Sequence, residues 1–238
     1  MGKKLADIER EIRSKEERFF DYFKNVLEGE LFDFLELLST TTKVFVFSGI
    51  IRNYFLHNYL VRDVDIVVES DDKIEEILQN VDFRKNSFGG YKISLSGKNL
   101  DLWRMDKTWA VYREDHQITM NLDLERIIPE TAFFNFSAII YSLNSHKFLY
   151  KKDFVKFLKT KTIDYVYKPN ANPSLCVVNT LYYSDKYDLK ISERLSELIF
   201  QWHESGDRKY GEVQLKHFGK EIYTDEKIDF RLNKLANS

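Results

Sequence analysis

Val44-Phe45-Val46-Phe47-Ser48-Gly49-Ile50-Ile51-Arg52, followed shortly by Arg62-Asp63-Val64-Asp65-Ile66-Val67-Val68, is the stretch that decides the fold. Each half contains a short run of β-branched and aromatic residues, the mark of a buried strand. Ser48-Gly49 closes the first run, and a helix is expected from there through about residue 60. Ser70-Asp71-Asp72 after the second run signals another helix start, with Ile74, Ile77 and Leu78 on its apolar side. Strand, helix, strand, helix is an α/β beginning. Gly89-Gly90 and Gly97-Lys98-Asn99 then frame two strands, Tyr91 to Ser96 and Leu100 to Met105, which read as a hairpin and make the sheet mixed.

Upstream, residues 3 to 38 repeat Ile8, Ile12, Phe19, Tyr22, Phe23, Val26 and Leu27 at helical spacing among charges, which predicts one or two amphipathic helices broken near Gly29. Beyond residue 124 the chain reads as mainly helical, with a boundary at Pro129, a loop at Pro169 to Pro173 and two helices between Leu175 and Phe200. The expected fold class is α+β (α/β), a mixed sheet with a mainly helical C-terminal part. Three segments follow: 1–43, an N-terminal helical buttress; 44–124, the sheet domain; and 125–238, the helical remainder.

Composition narrows the chemistry. With 36 basic and 38 acidic residues the net charge is -2, so no global positive field grips nucleic acid and any such contact is local. The lone Cys176 excludes an internal disulfide and a multi-cysteine zinc cluster, and fits a reducing, cytoplasmic setting. Its apolar neighbours make it a buried small hydrophobe. No apolar run is long enough to span a membrane, so no membrane partner is expected. None of the five His has metal-ligand spacing with a Cys or another His.

In a strand, alternate side chains share a face, so Asp63 and Asp65 project together while Val64, Ile66 and Val68 face the core. Two adjacent carboxylates repel unless a cation joins them, and magnesium or manganese suits such hard oxygen donors. Asp101, on a neighbouring strand, supplies a third carboxylate. That set suits nucleotidyl transfer, in which metal ions neutralise phosphate charge while the protein positions the reactants. Ser48-Gly49, at a strand-to-helix junction, is a candidate triphosphate cradle. Arg52 lies one turn into that helix and Arg62 precedes the acid pair, both able to meet the same anion. A D-x-D pair alone arises often by chance; the order of strand, small-residue turn, helix, D-x-D strand and further acid strand carries the expectation.

The run from Ser48 to Phe55, with Arg62-Asp63-Val64-Asp65-Ile66, resembles the head domain of the tRNA nucleotidyltransferase and bacterial poly(A) polymerase family, within the polymerase-beta-like superfamily. That family reads Gly-Gly-x-Val-Arg-Asp-x-Leu and then Lys-Asp-x-Asp-Ile or -Leu. Gln117 to Leu122 is similar to the family's Arg-Arg-Asp-Phe-Thr-Ile-Asn-Ala, and Tyr141 to Pro173 to the start of its neck. The resemblance implies a nucleoside triphosphate substrate, magnesium or manganese, Asn121 near the nucleotide and Arg113 near the phosphates, with an RNA or tRNA 3' end, another nucleotide or a protein hydroxyl as the acceptor. Ser48, Asn53 and Gln117 stand where the family has Gly, Asp and Asp, and Leu175, Val178 and Leu181 where its neck carries arginines. Departures of this kind also suit a noncatalytic nucleotide- or RNA-binding module that kept the fold.

Lys147, Lys151, Lys152, Lys156, Lys159, Lys161 and Lys168, interleaved with aromatics, read either as a nucleic-acid groove or, by preference, as an amphipathic helix with a solvated lysine face. Trp103 and Trp109 flank the acid strand and are more often core than a stacking platform.

Overall fold

The computed structural model describes residues 4–59, 61, 63–69, 73–85, 90–95, 97–108, 124–169, 172–206 and 208–236. Three N-terminal helices, α1 (Leu5–Ser14), α2 (Glu16–Leu27) and α3 (Glu30–Ser39), lead into β1 (Val44–Phe47), α4 (Gly49–Phe55) and β2 (Asp63–Val68). A short α5 (Ile74–Ile77) precedes β3 (Phe83–Lys85), β4 (Tyr91–Leu95) and β5 (Lys98–Arg104). Then come α6 (Leu124–Thr131), β6 (Ile139–Ser142), β7 (Lys147–Tyr150), α7 (Lys152–Thr160) and β8 (Thr162–Ile163). The chain ends with α8 (Pro173–Tyr187), β9 (Lys190–Ile191), α9 (Glu193–Ser205), α10 (Tyr210–Phe218) and α11 (Asp225–Ala236).

Seven strands form one sheet in the order β3-β4-β5-β2-β1-β6-β7. Only the β2–β5 pair within it is parallel; the other pairs are antiparallel. The mixed sheet expected from the sequence is therefore present. It also continues past residue 124, because β6 pairs with β1 and β7 with β6. The segment read as one lysine-rich helix divides into β7, α7 and β8. A tight hairpin causes the division: His146 takes a positive φ, and Asn144 accepts from the Val44 N–H (2.8 Å) and donates to the Ser39 and Thr42 carbonyls. The helix after Ser48 is also shorter than expected and ends at Phe55.

Register separates the two faces of the sheet. The row Tyr91, Leu102, Ile66, Val46, Tyr141, Phe148 crosses six strands and is apolar or aromatic throughout. It is buried against the N-terminal helices, with Phe19 ring centroids 4.8 Å from Tyr141 and 5.0 Å from Phe148. Glu16 adds polar ties: its carbonyl accepts from the Tyr141 hydroxyl, and its carboxylate accepts from the Phe148 N–H at 3.1 Å. On the other face Phe45, Val67, Met105 and Ile140 cluster with Ile128 of α6, and that helix packs on β6 and β7.

The C-terminal helices dock as a group. Asn172 caps α8 by accepting from the Leu175 N–H, and Pro173 fits its first turn. Asp185 of α8 pairs with both Arg231 guanidinium nitrogens (2.8 and 2.9 Å) and accepts from the Tyr223 hydroxyl, fastening α11 to α8. Among the described residues no helix is long and apolar enough to cross a membrane.

Candidate active site

The row next to the apolar one lies on the opposite face and crosses all seven strands: Arg84, Lys92, Asp101, Asp65, Phe47, Ile140, Leu149. Its charges run as two cations, two carboxylates and then hydrocarbon. Asp63 lies one step along β2 on the same face and registers with Asn99, which registers with Ser94. Parallel pairing of β2 with β5 thus sets Asp101 directly beside Asp65, and the D-x-D spacing adds Asp63.

Asp65 keeps a little surface but lies deep among protein atoms, and its carboxyl is pushed up to about 7. Burial is the main cause, followed by repulsion from Asp101 and Asp63; Arg52 and Lys92 act in the opposite direction. A carboxylate crowded in this way is stabilised in its charged form by a cation, and all-oxygen donors fit a hard ion such as magnesium or manganese. The third carboxylate, Asp101, has a partner of its own. Among the described residues no group of three His, Cys, Asp or Glu side chains is arranged to hold a metal, and the Lys92 ammonium lies 2.7 Å from Asp101 Oδ1 and 3.0 Å from Oδ2. A cation taking Asp101 as a ligand competes with that ammonium. The hairpin's Leu95–Lys98 closure places Lys92 opposite Asp101, so counting back from Gly97 could have found this pairing.

Ser48, at the end of β1, has φ 57° and ψ -108°, a conformation that favours glycine. Its hydroxyl lies 3.3 Å from that of Ser137. Ser48→Gly is expected to relieve on the order of 1 kcal/mol of backbone strain and raise Tm by about 2–4 °C in a thermal melt. A lower Tm would mean that the hydroxyl contact outweighs the strain. Gly49 opens α4, where an added Cβ would meet Arg52 Nη2 at an ordinary 3.8 Å, so space alone does not require glycine there. With only seven residues, α4 offers little dipole, and the positive charge of this corner rests on Arg52.

Arg52 is 7 % exposed, and its guanidinium carbon lies 4.4 Å from the Tyr183 ring centroid, 5.4 Å from Phe136 and 5.6 Å from Tyr187. Asn53 Oδ1 accepts from Arg52 Nε (3.2 Å), Arg52 Nη2 (3.0 Å) and the Tyr187 hydroxyl (2.7 Å). Arg52 is visible in the sequence, whereas Tyr183 and Tyr187 reach it only through the docking of α8. Val178 and Leu181, where the resemblance puts neck arginines, are fully buried core of the same helix. Arg62, Arg113, Asn121 and Trp109 lie outside the described residues. Trp103 is half-buried, one step along β5 from Asp101 on the same face.

No family model and no curated protein matches the sequence. Several solved structures do match. A CCA-adding enzyme in complex with ATP aligns at TM-score 0.63 and 18% identity over 92% of this chain and 51% of its own. A tRNA nucleotidyltransferase complexed with a primer tRNA and an incoming ATP analog aligns at TM-score 0.61 and 16% identity, covering 86% of this chain and 60% of that one. The Thermotoga maritima CCA-adding enzyme complexed with tRNA aligns at 0.59 and 14% identity, over 83% and 48%. The chain spans about half the length of the CCA-adding enzymes it matches. These likenesses establish that the chain has the α+β fold of the CCA-adding tRNA nucleotidyltransferases.

Proposed function

We propose that the protein is a metal-dependent nucleotidyltransferase that moves a nucleoside monophosphate from a nucleoside triphosphate to a hydroxyl acceptor, with release of pyrophosphate. The observation that carries this reading is the register of Asp65 with Asp101, next to Asp63, on one face of a sheet with the fold of enzymes that bind CTP, ATP and primer tRNA. Asp63 and Asp65 hold the cation, and Asp101 completes the set. Ser48, Gly49 and Arg52 hold the triphosphate, joined by Arg62 and Arg113, with Asn121 near the nucleotide. Magnesium or manganese, when bound, screens the phosphates and stabilises the leaving pyrophosphate. Asp101 takes the proton of the acceptor hydroxyl as its oxygen bonds to the α-phosphorus, and the bond from that phosphorus to the pyrophosphate oxygen breaks. The acceptor in this reading is an RNA or tRNA 3' end, and the setting is the cytoplasm.

The test is incubation with each labelled NTP, Mg2+ or Mn2+, and total cell RNA and protein, beside an Asp63→Ala/Asp65→Ala control. Metal-dependent label transfer by the unaltered chain alone is the expected result. A second reading, a noncatalytic nucleotide- or RNA-binding module, draws support from the ammonium seated on Asp101 and the apolar Val178 and Leu181. Nucleotide binding without transfer from any NTP would favour it.

A further inference from the structure

We propose that the cleft over β3, β4 and β5 is an acceptor subsite that holds a phosphate group of the acceptor through Arg84 and Lys92. The inference rests on the nucleotidyltransferase reading and assigns the side of the carboxylates opposite the triphosphate corner. A cleft of about 320 Å³ opens there, its polar lining made by Asp63, Asp82, Arg84, Lys92, Ser94, Asn99 and Asp101. That volume falls at the small end of ligand sites and suits one nucleotide unit better than a duplex terminus.

Arg84 pairs with Lys92 on adjacent strands and Lys92 with Asp101, so the backbone of Arg84 stands two strand spacings, about 10 Å, from that of Asp101, while the Lys92 ammonium already touches the Asp101 carboxylate at 2.7 Å. Both cations are exposed, and Arg84 makes no ion pair with the described residues. Beside this row lie Ser94 and Asn99, in register with Asp63 and joined by a 2.9 Å hydrogen bond, which supply neutral donors and acceptors suited to a sugar ring. An acceptor that places a hydroxyl at Asp101 and a phosphate one nucleotide length away reaches Arg84 with that phosphate. Arg84 offers a bidentate fork and Lys92 a mobile point charge.

Arg52 sits beyond β2 on the α4 side, so cationic groups flank the carboxylates on both sides. Transfer between two anionic substrates needs such a division, with the donor phosphates on one side and the acceptor phosphate on the other. The same phosphate chemistry is carried by a nucleic-acid 3' end and by a phosphorylated small molecule.

The full chain is titrated with a short single-stranded RNA and, separately, with 5'-AMP, with a magnesium-bound nonhydrolysable ATP analogue filling the donor side, and Arg84→Gln and Lys92→Gln are compared with the unaltered protein. Each substitution is expected to weaken the phosphate-bearing probe about tenfold and, for RNA, to flatten the slope of log affinity on log salt by about 0.7 for each cation removed from a phosphate. Binding of adenosine by both variants, and of the ATP analogue by Arg84→Gln, should stay within about twofold. Preference for RNA identifies a nucleic-acid end as the source, and preference for 5'-AMP a small phosphorylated acceptor. Unchanged probe affinity in both variants overturns the proposal, as does failure of both probes to bind the unaltered chain. A parallel loss of the ATP analogue in Arg84→Gln also overturns it, by making the cleft the donor site. Arg84-dependent phosphate binding in a chain that transfers no nucleotide instead overturns the enzymatic reading and leaves the anion site standing.

Discussion

Asp65→Asn is expected to abolish nucleotidyl transfer, by on the order of a thousandfold or more, and at the same time to make the protein more stable at pH 8. The two effects share a cause. Burial, Asp101 and Asp63 raise the Asp65 carboxyl to about 7 from an unperturbed 3.8. Between those values the folded chain keeps a proton that the unfolded chain releases, so stability is fullest below pH 4, declines as pH rises to about 7, and stays reduced above it. At about 1.4 kcal/mol per pH unit, discounted for the surface Asp65 retains, the cost above pH 7 is about 2–4 kcal/mol. The amide cannot ionise, so melts of Asp65→Asn should lose this part of the pH dependence and run on the order of 5–10 °C higher at pH 8. Mg2+ should raise the Tm of the unaltered chain near neutrality and leave the variant unmoved. An Asp65→Asn protein that melts with the unaltered chain at pH 8, or still transfers nucleotide, would sink this account.

Arg52→Ala should weaken NTP binding by about 10- to 100-fold, the range of one charge-assisted hydrogen bond to a phosphate. It should also destabilise the fold by about 2–4 kcal/mol, because truncation empties the space between the Tyr183, Phe136 and Tyr187 rings and removes two of the three donors that Asn53 Oδ1 accepts. Arg52→Lys separates the contributions: charge is kept, whereas the paired Nε and Nη2 hydrogen bonds to Asn53 disappear. Equilibrium NTP binding beside urea titration reads both effects. Undiminished NTP affinity in a folded Arg52→Ala protein would make this guanidinium a purely structural tie between α4 and α8.

What can be read from the sequence follows how local the signals are. Val44 to Phe47 and Asp63 to Val68 announce themselves by apolar runs, and the hairpin by Gly97, so the strands bearing the carboxylates are visible. Ile139 to Ser142 and Lys147 to Tyr150 are not: Lys147, Lys151 and Lys152 mimic a solvated helical face, and the Asn144 hydrogen bonds that enforce the turn join residues about a hundred positions apart. Asp63, Asp65 and Asp101 can be named from residue type, while the Lys92 ion pair depends on register and the aromatic cage of Arg52 on helix docking. The cage leaves no trace in spacing, and the ion pair shows only once the hairpin closure is known.

The ties from Glu16 to Tyr141 and Phe148 span 125 and 132 residues. A ribosome adding about 5–20 residues per second needs on the order of ten seconds to deliver the second partner after the first. Through that interval Phe19 of α2 lacks the Tyr141 and Phe148 rings it packs on, so the newborn chain is expected to carry a partly uncovered, sticky helix until the β6–β7 hairpin emerges.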